Sequence, residues 1–221
     1  MNVVKIFGLP RTCTNAVEVL IRRNFKVKVI NNFPCWKHGK NTLKGRSLHD
    51  SKRGIDTDDL TFVICTKNPY DWLNSLFKFE NNTKLRKNFK KTFIEFLNNP
   101  SWHYKDVNWL KNKTPIGAFN TLTRHWLSIS KSPNVLQQIK NEKMLVDQIE
   151  ILNRLEKSFG WARKNKNLKP LKVRIAPGLK DTGKQFVFSG NKFNNNEIEL
   201  INKSLNKKTL ALAGYKIKAT H

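Results

Sequence analysis

The opening residues constrain the fold more than any other part of the chain. Val3 to Phe7 form a short β-branched and aromatic run, Gly8 and Pro10 close it, and Ala16, Val17, Val19, Leu20 and Ile21 then mark a broad apolar stripe within Asn15 to Phe25. Such a run reads as a buried strand entering a loop, and such a stripe as a helix packed on a sheet. The strand signal recurs. Lys26 to Ile30 alternates Lys with Val as a second strand, and Leu60 to Thr66 is a third that ends in Lys67-Asn68-Pro69. Pro69 suits the first turn of a helix over Tyr70 to Phe79, because its missing N–H would lack a partner there anyway. Strands and helices alternating at crossover spacing predict an α/β fold, a parallel β-sheet flanked by helices on both faces. Ligands of such sheets bind at the carboxyl ends of the strands, so the loops after the first three strands are the places to look for function.

Further along, helices are expected over Leu85 to Leu97 and Ile116 to Ile129, separated by a connection containing Trp102 and Trp109. Met144 to Val146 reads as a fourth short strand, and Ile149 to Phe159 as a helix stopped by Gly160. From Asn194, the positions Ile198, Ile201, Leu205, Leu210 and Leu212 regain a helical spacing that Gly214 ends. The polar stretch from Asn31 to Asp59, with Pro34, Gly39, Gly45 and Gly54, reads as a functional or mobile loop. A length of 221 residues without internal repeats fits a single domain over 1–221.

Charge narrows the partners. Forty-two Lys and Arg against 16 Asp and Glu leave a net charge of +26, a field that concentrates anions and adheres to polyanions. Functional basicity and a Lys- and Asn-rich compositional drift explain this equally well. Cys13, Cys35 and Cys65 are odd in number and lack CxxC spacing, which points to reduced thiols and away from a disulfide frame or a metal site. No stretch approaches the ~20 apolar residues of a bilayer crossing, and the start of the chain has no export signal pattern. A soluble, cytoplasmic protein is expected.

The first loop, FGLPRTCTN, places Gly8, Pro10, Arg11, Thr12, Thr14 and Asn15 between strand and helix. Backbone N–H groups at a helix start, reinforced by the helix dipole, cradle phosphate or sulfate oxygens, and Arg11 adds a permanent positive charge. The loop lacks the Gly-Lys-Ser/Thr ending that positions lysine and magnesium on a nucleoside triphosphate, so a P-loop phosphotransferase is disfavoured. Taken alone, a plain strand-turn-helix capped by Thr12 or Thr14 accounts for the segment equally well.

FGLPRTCTN resembles the 5′-phosphosulfate loop of sulfotransferases, written Pro-Lys/Arg-Ser/Thr-Gly-Thr-Thr. It departs from that pattern at Cys13, where the family has Gly, and at Asn15, where it has Thr. TFVICTKNPYDWLNSLFKF is similar to the family's third strand and following helix, where a basic residue before Asn-Pro and a serine two turns later hold the nucleotide 3′-phosphate. The corresponding residues are Lys67 and Ser75. The resemblance implies a P-loop NTPase-like sulfotransferase fold and 3′-phosphoadenosine 5′-phosphosulfate (PAPS) as donor, with no metal. Arg11, Thr12, Cys13, Thr14, Asn15, Lys67 and Ser75 would bind that donor.

After the second strand, NNFPCWKHGK holds Lys37 and His38 where related enzymes place acceptor-activating residues. His38 would serve as general base, and Arg11 and Lys37 would stabilise charge on the transferring group. A solvated histidine in a basic loop is the bland alternative. FNNNEIELINKSLNKKTLALAGY is similar to the terminal helix of bacterial sulfotransferases, and GLKDTGK resembles the basic C-terminal loop that closes over the nucleotide in some relatives, with a plain basic loop as the alternative, whereas KMLVDQIEIL lacks the family's acidic element. The implied reaction is sulfuryl transfer to a hydroxyl or amine of an unknown acceptor, an anionic glycan or a small molecule. The rival reading is a polyanion-binding protein, of nucleic acid or acidic glycan, on a degenerate sulfotransferase scaffold.

Overall fold

The computed structural model describes residues 2–33, 35, 37–38, 49–50, 54–82, 92–99, 113–129, 135–172, 175 and 193–220. In chain order the elements are β1 (Val3–Gly8), α1 (Thr14–Asn24), β2 (Lys28–Ile30), β3 (His49–Asp50), β4 (Ile55–Asp56), β5 (Leu60–Thr66), α2 (Pro69–Asn82), α3 (Phe93–Asn98), α4 (Pro115–Leu127), β6 (Leu136–Lys140), α5 (Asn141–Val146), α6 (Gln148–Phe159), α7 (Asn195–Ser204) and α8 (Lys207–Leu212). The chain divides into two compact units, Met1–Lys67 with His125–Phe188, and Asn68–Arg124 with Ser189–His221.

The first unit is built on a four-stranded sheet in the order β2-β1-β5-β6. Every pair in it is parallel, with Val3 opposite both Lys28 and Leu60, Gly8 opposite Cys65, and Phe62 opposite Leu136. From β1 the chain steps to β2 on one side, then crosses to β5 on the other. Strand order therefore reverses at β1, and the crevice outside the carboxyl ends of β1 and β5 is the topological switch point of the sheet.

Alternation along each strand sorts the side chains between the two faces. Val4, Ile6, Val63, Cys65 and Ile139 pack with Ala16, Val17, Leu20 and Ile21 of α1 and with Ile151, Leu152 and Leu155 of α6 in one buried cluster. On the opposite face Phe7 stacks on Phe62 and Trp126, with ring centroids 6.1 and 5.8 Å apart. Residues 161–172 form no helix or paired strand, yet they are pinned to the end of α1. Asn24 donates to Lys169 O at 3.0 Å and accepts from the Lys169 amide at 2.6 Å, while Lys26 N bonds Ala162 O and Lys164 N bonds Asn24 O, each at 2.8 Å.

In the second unit Trp72 of α2 packs on Phe119 of α4 with centroids 5.6 Å apart. The Tyr70 hydroxyl donates to Asn202 of α7 and accepts from the Lys218 amide. Asn120 of α4 bonds both Ser204 O and the Asn206 amide, bracketing the break between α7 and α8.

Several expectations hold closely. Pro69 opens α2, Gly160 ends α6 at φ 64, and Gly214 ends α8 at φ 68 with Tyr215 N bonding back to Leu210 O. The fourth strand is a correction. Met144 to Val146 belongs to helix α5, and the strand beside β5 is Leu136–Lys140. Only Ile139 of that strand is buried, because it borders the sheet and can keep polar side chains. Its Gln-rich composition hides it, whereas Met144 draws attention by filling the core from a helix. The helical spacing after Asn194 is two helices, α7 and α8, broken at Leu205 and Asn206. Of the helix expected over Leu85 to Leu97, α3 is the described part, beginning at the Thr92 capping box. Trp102, Trp109 and the GLKDTGK loop lie outside the described residues.

Candidate functional site

The loop from Leu9 to Cys13 turns sharply off the end of β1. Thr12 closes it by donating both its amide and its hydroxyl to Leu9 O, at 3.2 and 2.7 Å. Arg11 and Cys13 take left-handed backbone conformations, φ 72 and 63, where a Cβ is strained. Cys13 is the residue before the first turn of α1, and its side chain makes no capping hydrogen bond. Gly8 is required for another reason. A Cβ there would stand 2.5 Å from Thr12 Oγ1 and 2.8 Å from both Cys65 O and Thr14 Cγ2. Close approach of backbone to backbone is what brings the loop down onto the end of β5.

The second loop folds back onto the first. Beyond Ile30, where β2 stops pairing with β1, Lys37 takes its place: the Gly8 amide donates to Lys37 O at 3.1 Å. The Lys37 ammonium donates to Asn15 Oδ1 at 2.5 Å, so a lysine from the second loop reaches the first turn of α1. Burial lowers the pKa of Lys37, against the opposing pull of Glu18 and Cys65. His38 is buried, and its Nδ1 meets Gly8 O. A carbonyl only accepts, so Nδ1 carries the hydrogen and the neutral ring keeps its lone pair on Nε2.

Arg11, Thr12, Cys13, Thr14, Asn15, Lys37 and His38 thus share one region at the carboxyl end of β1. Arg11 is exposed, Thr12 and Thr14 are buried, and Asn15 is half-buried. Lys67 follows directly on β5, beside the same strand end, and is half-buried. Ser75 lies on α2 in the second unit and is half-buried. Cys65 meets Cys13 at the floor of the loop; burial and that contact push its thiol pKa well up. All three cysteines are free thiols. Among the described residues no cluster of His, Cys, Asp or Glu is arranged to hold a metal, and no helix is long and apolar enough to cross a membrane.

One further participant lies within β1 itself, outside the loops that the sequence singles out. Lys5, in the middle of β1, is fully buried, and its ammonium donates to Asn31 O at 2.6 Å and to Cys35 O. The signal was present, since a lysine interrupts an otherwise apolar strand. Its partner Asn31 donates to both oxygens of the buried Glu18, at 3.1 and 3.2 Å, and Glu18 also binds Arg22 at 3.0 Å.

The first unit is thus a parallel α/β sheet whose switch point carries a tight loop, the start of α1 and a lysine held against that start. That arrangement suits an anionic, phosphate- or sulfate-bearing ligand. No family model and no curated protein matches the chain.

Proposed function

We propose that the chain is a cytoplasmic sulfotransferase of the P-loop NTPase-like sulfotransferase fold, moving a sulfuryl group from PAPS to a hydroxyl or amine. The observation that carries this reading is the placement of Lys37 and His38 of the second loop against Asn15 and Gly8 of the first, at the switch point of the sheet. The three free thiols agree with a reducing compartment.

In this reading the start of α1 receives the phosphosulfate, with Thr12, Cys13 and Thr14 shaping the loop beneath it. Lys67 and Ser75 hold the 3′-phosphate, as their match to the family's third-strand motif implies. His38 Nε2 removes the proton of the acceptor as its oxygen or nitrogen attacks sulfur. The bond from sulfur to the phosphate oxygen breaks in line, and 3′-phosphoadenosine 5′-phosphate leaves with the electron pair. Arg11 and Lys37 stabilise the negative charge that gathers on the sulfuryl and leaving oxygens; Arg11 does so purely electrostatically. The acceptor is an anionic glycan or a small molecule. His38→Ala leaves nucleotide binding within about twofold of wild type and cuts turnover by ~100-fold or more. Retained turnover refutes the base assignment.

A second reading, polyanion binding on the same scaffold, is favoured by one specific surface. Residues 161–172, pinned to the end of α1, set exposed Lys164, Lys166, Lys169 and Lys172 beside exposed Arg23 and Lys26. This surface sits at the far end of α1 from the first loop, about 16 Å away along an 11-residue helix. Charge reversal at Lys164, Lys166 and Lys169 would flatten the salt dependence of nucleic-acid or heparin binding if this reading holds, and would leave nucleotide binding unchanged.

A further inference from the structure

Lys5 is an expensive residue to place where it stands. A cation in the interior of a parallel sheet gives up its water, and only strong partners offset that loss. Its neighbours along and across the sheet are apolar: Val4 and Ile6 in sequence, Ile30 and Phe62 in register. Its hydrogen bonds, however, go to the backbone of the second loop, at Asn31 O and Cys35 O, and its ammonium lies 5.0 Å from the centre of the Phe7 ring.

Those two carbonyls flank the stretch of chain that leads to Lys37 and His38. One end is fixed further, because the Asn31 side chain holds Glu18 of α1, which holds Arg22. From Cys35 the chain has only two residues to reach Lys37, whose carbonyl takes the Gly8 amide, and three to reach His38, whose ring takes the Gly8 carbonyl. No apolar side chain can bridge two carbonyl oxygens from one point inside the sheet, and a long ammonium can.

We propose that Lys5 is a positioning residue: its buried ammonium clamps the carbonyls of Asn31 and Cys35 and so holds Lys37 and His38 over the first loop. The proposal rests on the donor-site reading for its functional meaning but makes a structural claim that stands without it.

The surroundings of Lys5 show what its burial costs. Burial lowers its pKa to about 8, with Lys37 pulling the same way and Cys35 and Glu18 opposing. These are the charged and titratable groups facing it, Glu18 from α1 and Cys35 and Lys37 from the second loop. The ammonium carries its charge at pH 7, where its bonds to the carbonyls are charge-assisted.

The Gly8 amide, which donates to Lys37 O, reports the clamp directly. Its hydrogen-exchange protection at pH 7 is read against that of the core amide of Ile64. Lys5→Met lowers Gly8 protection about tenfold relative to wild type, while Lys5→Arg, which keeps a cation and its donors, retains it. Ile64 protection shows whether each variant keeps its core, and a loss at Gly8 no greater than the loss at Ile64 overturns the proposal. So does a Lys5→Met protein with wild-type protection. Titration with 3′-phosphoadenosine 5′-phosphate separates the two claims. If wild type does not bind it while Lys5→Met still exposes Gly8, the clamp stands and the donor reading falls. If wild type binds it and Lys5→Met binds equally well with Gly8 protected, the clamp falls and the donor reading stands.

Discussion

The Lys37 ammonium lies 2.5 Å from Asn15 Oδ1, which joins a loop that follows β2 to the first turn of the helix that follows β1. Residues 22 apart in sequence thereby put a cation where the helix dipole is positive and an anion would be drawn. Two like fields in one place are costly until a negative ligand arrives, and burial has already lowered the Lys37 pKa.

Lys37→Met should therefore weaken binding of 3′-phosphoadenosine 5′-phosphate by about 10- to 100-fold, as loss of a charge-assisted contact implies. The fold should be unharmed or slightly firmer, because a half-buried cation has been removed. Calorimetric affinity and a thermal melt check both halves.

Gly8→Ala should be the most damaging single methyl addition in the first loop. The new Cβ would stand 2.8 Å from the Cys65 carbonyl, which is backbone and cannot swing away. Overpacking of this kind costs about 1–3 kcal/mol, read from the shift in urea midpoint.

Cys13→Gly should act in the opposite direction. With φ 63 the backbone at Cys13 favours glycine, and relief of the left-handed strain is worth about 1 kcal/mol, reduced by the freedom glycine adds to the unfolded chain. A higher urea midpoint in the variant is the expected result; a lower one would mean that the Cys13 contact with Cys65 outweighs the strain.

Lys5 gives a pH signature to stability as well. Its folded pKa, about 8, lies below the ordinary 10.5, so the unfolded chain holds the proton more tightly. The resulting destabilisation is fully present below pH 8 and is relieved as pH rises from 8 towards 10.5. It is worth at most about 3 kcal/mol. Wild type minus Lys5→Met in unfolding free energy should accordingly rise between pH 7 and pH 9.5, with the variant cancelling contributions from Lys37 and the cysteines.

Much of this was legible in the sequence because local signals agreed with the global fold. The Val3 to Phe7 run, the stripe of α1 and the Asn68-Pro69 entry to α2 each carry their own period or stop, and the parallel sheet follows from their order. Leu136–Lys140 was not legible, since a border strand with one buried residue carries little hydrophobic pattern. Arg11, Lys37 and His38 could be nominated from their loops. That Lys37 would reach Asn15, and His38 the Gly8 carbonyl, could not, because those contacts depend on where two loops meet after folding. Lys5 was visible as an anomaly, but its meaning lay in carbonyl groups, which leave no trace in a sequence.

The account turns on the switch point of the sheet being a site for one nucleotide. Calorimetric titration of 3′-phosphoadenosine 5′-phosphate at 50 and 200 mM salt, into wild type and the Lys67→Ala/Ser75→Ala double variant, tests it most directly. The account predicts saturable one-to-one binding at both salt concentrations that the double substitution weakens at least tenfold. Binding indifferent to those substitutions, or present only at the lower salt, would contradict it.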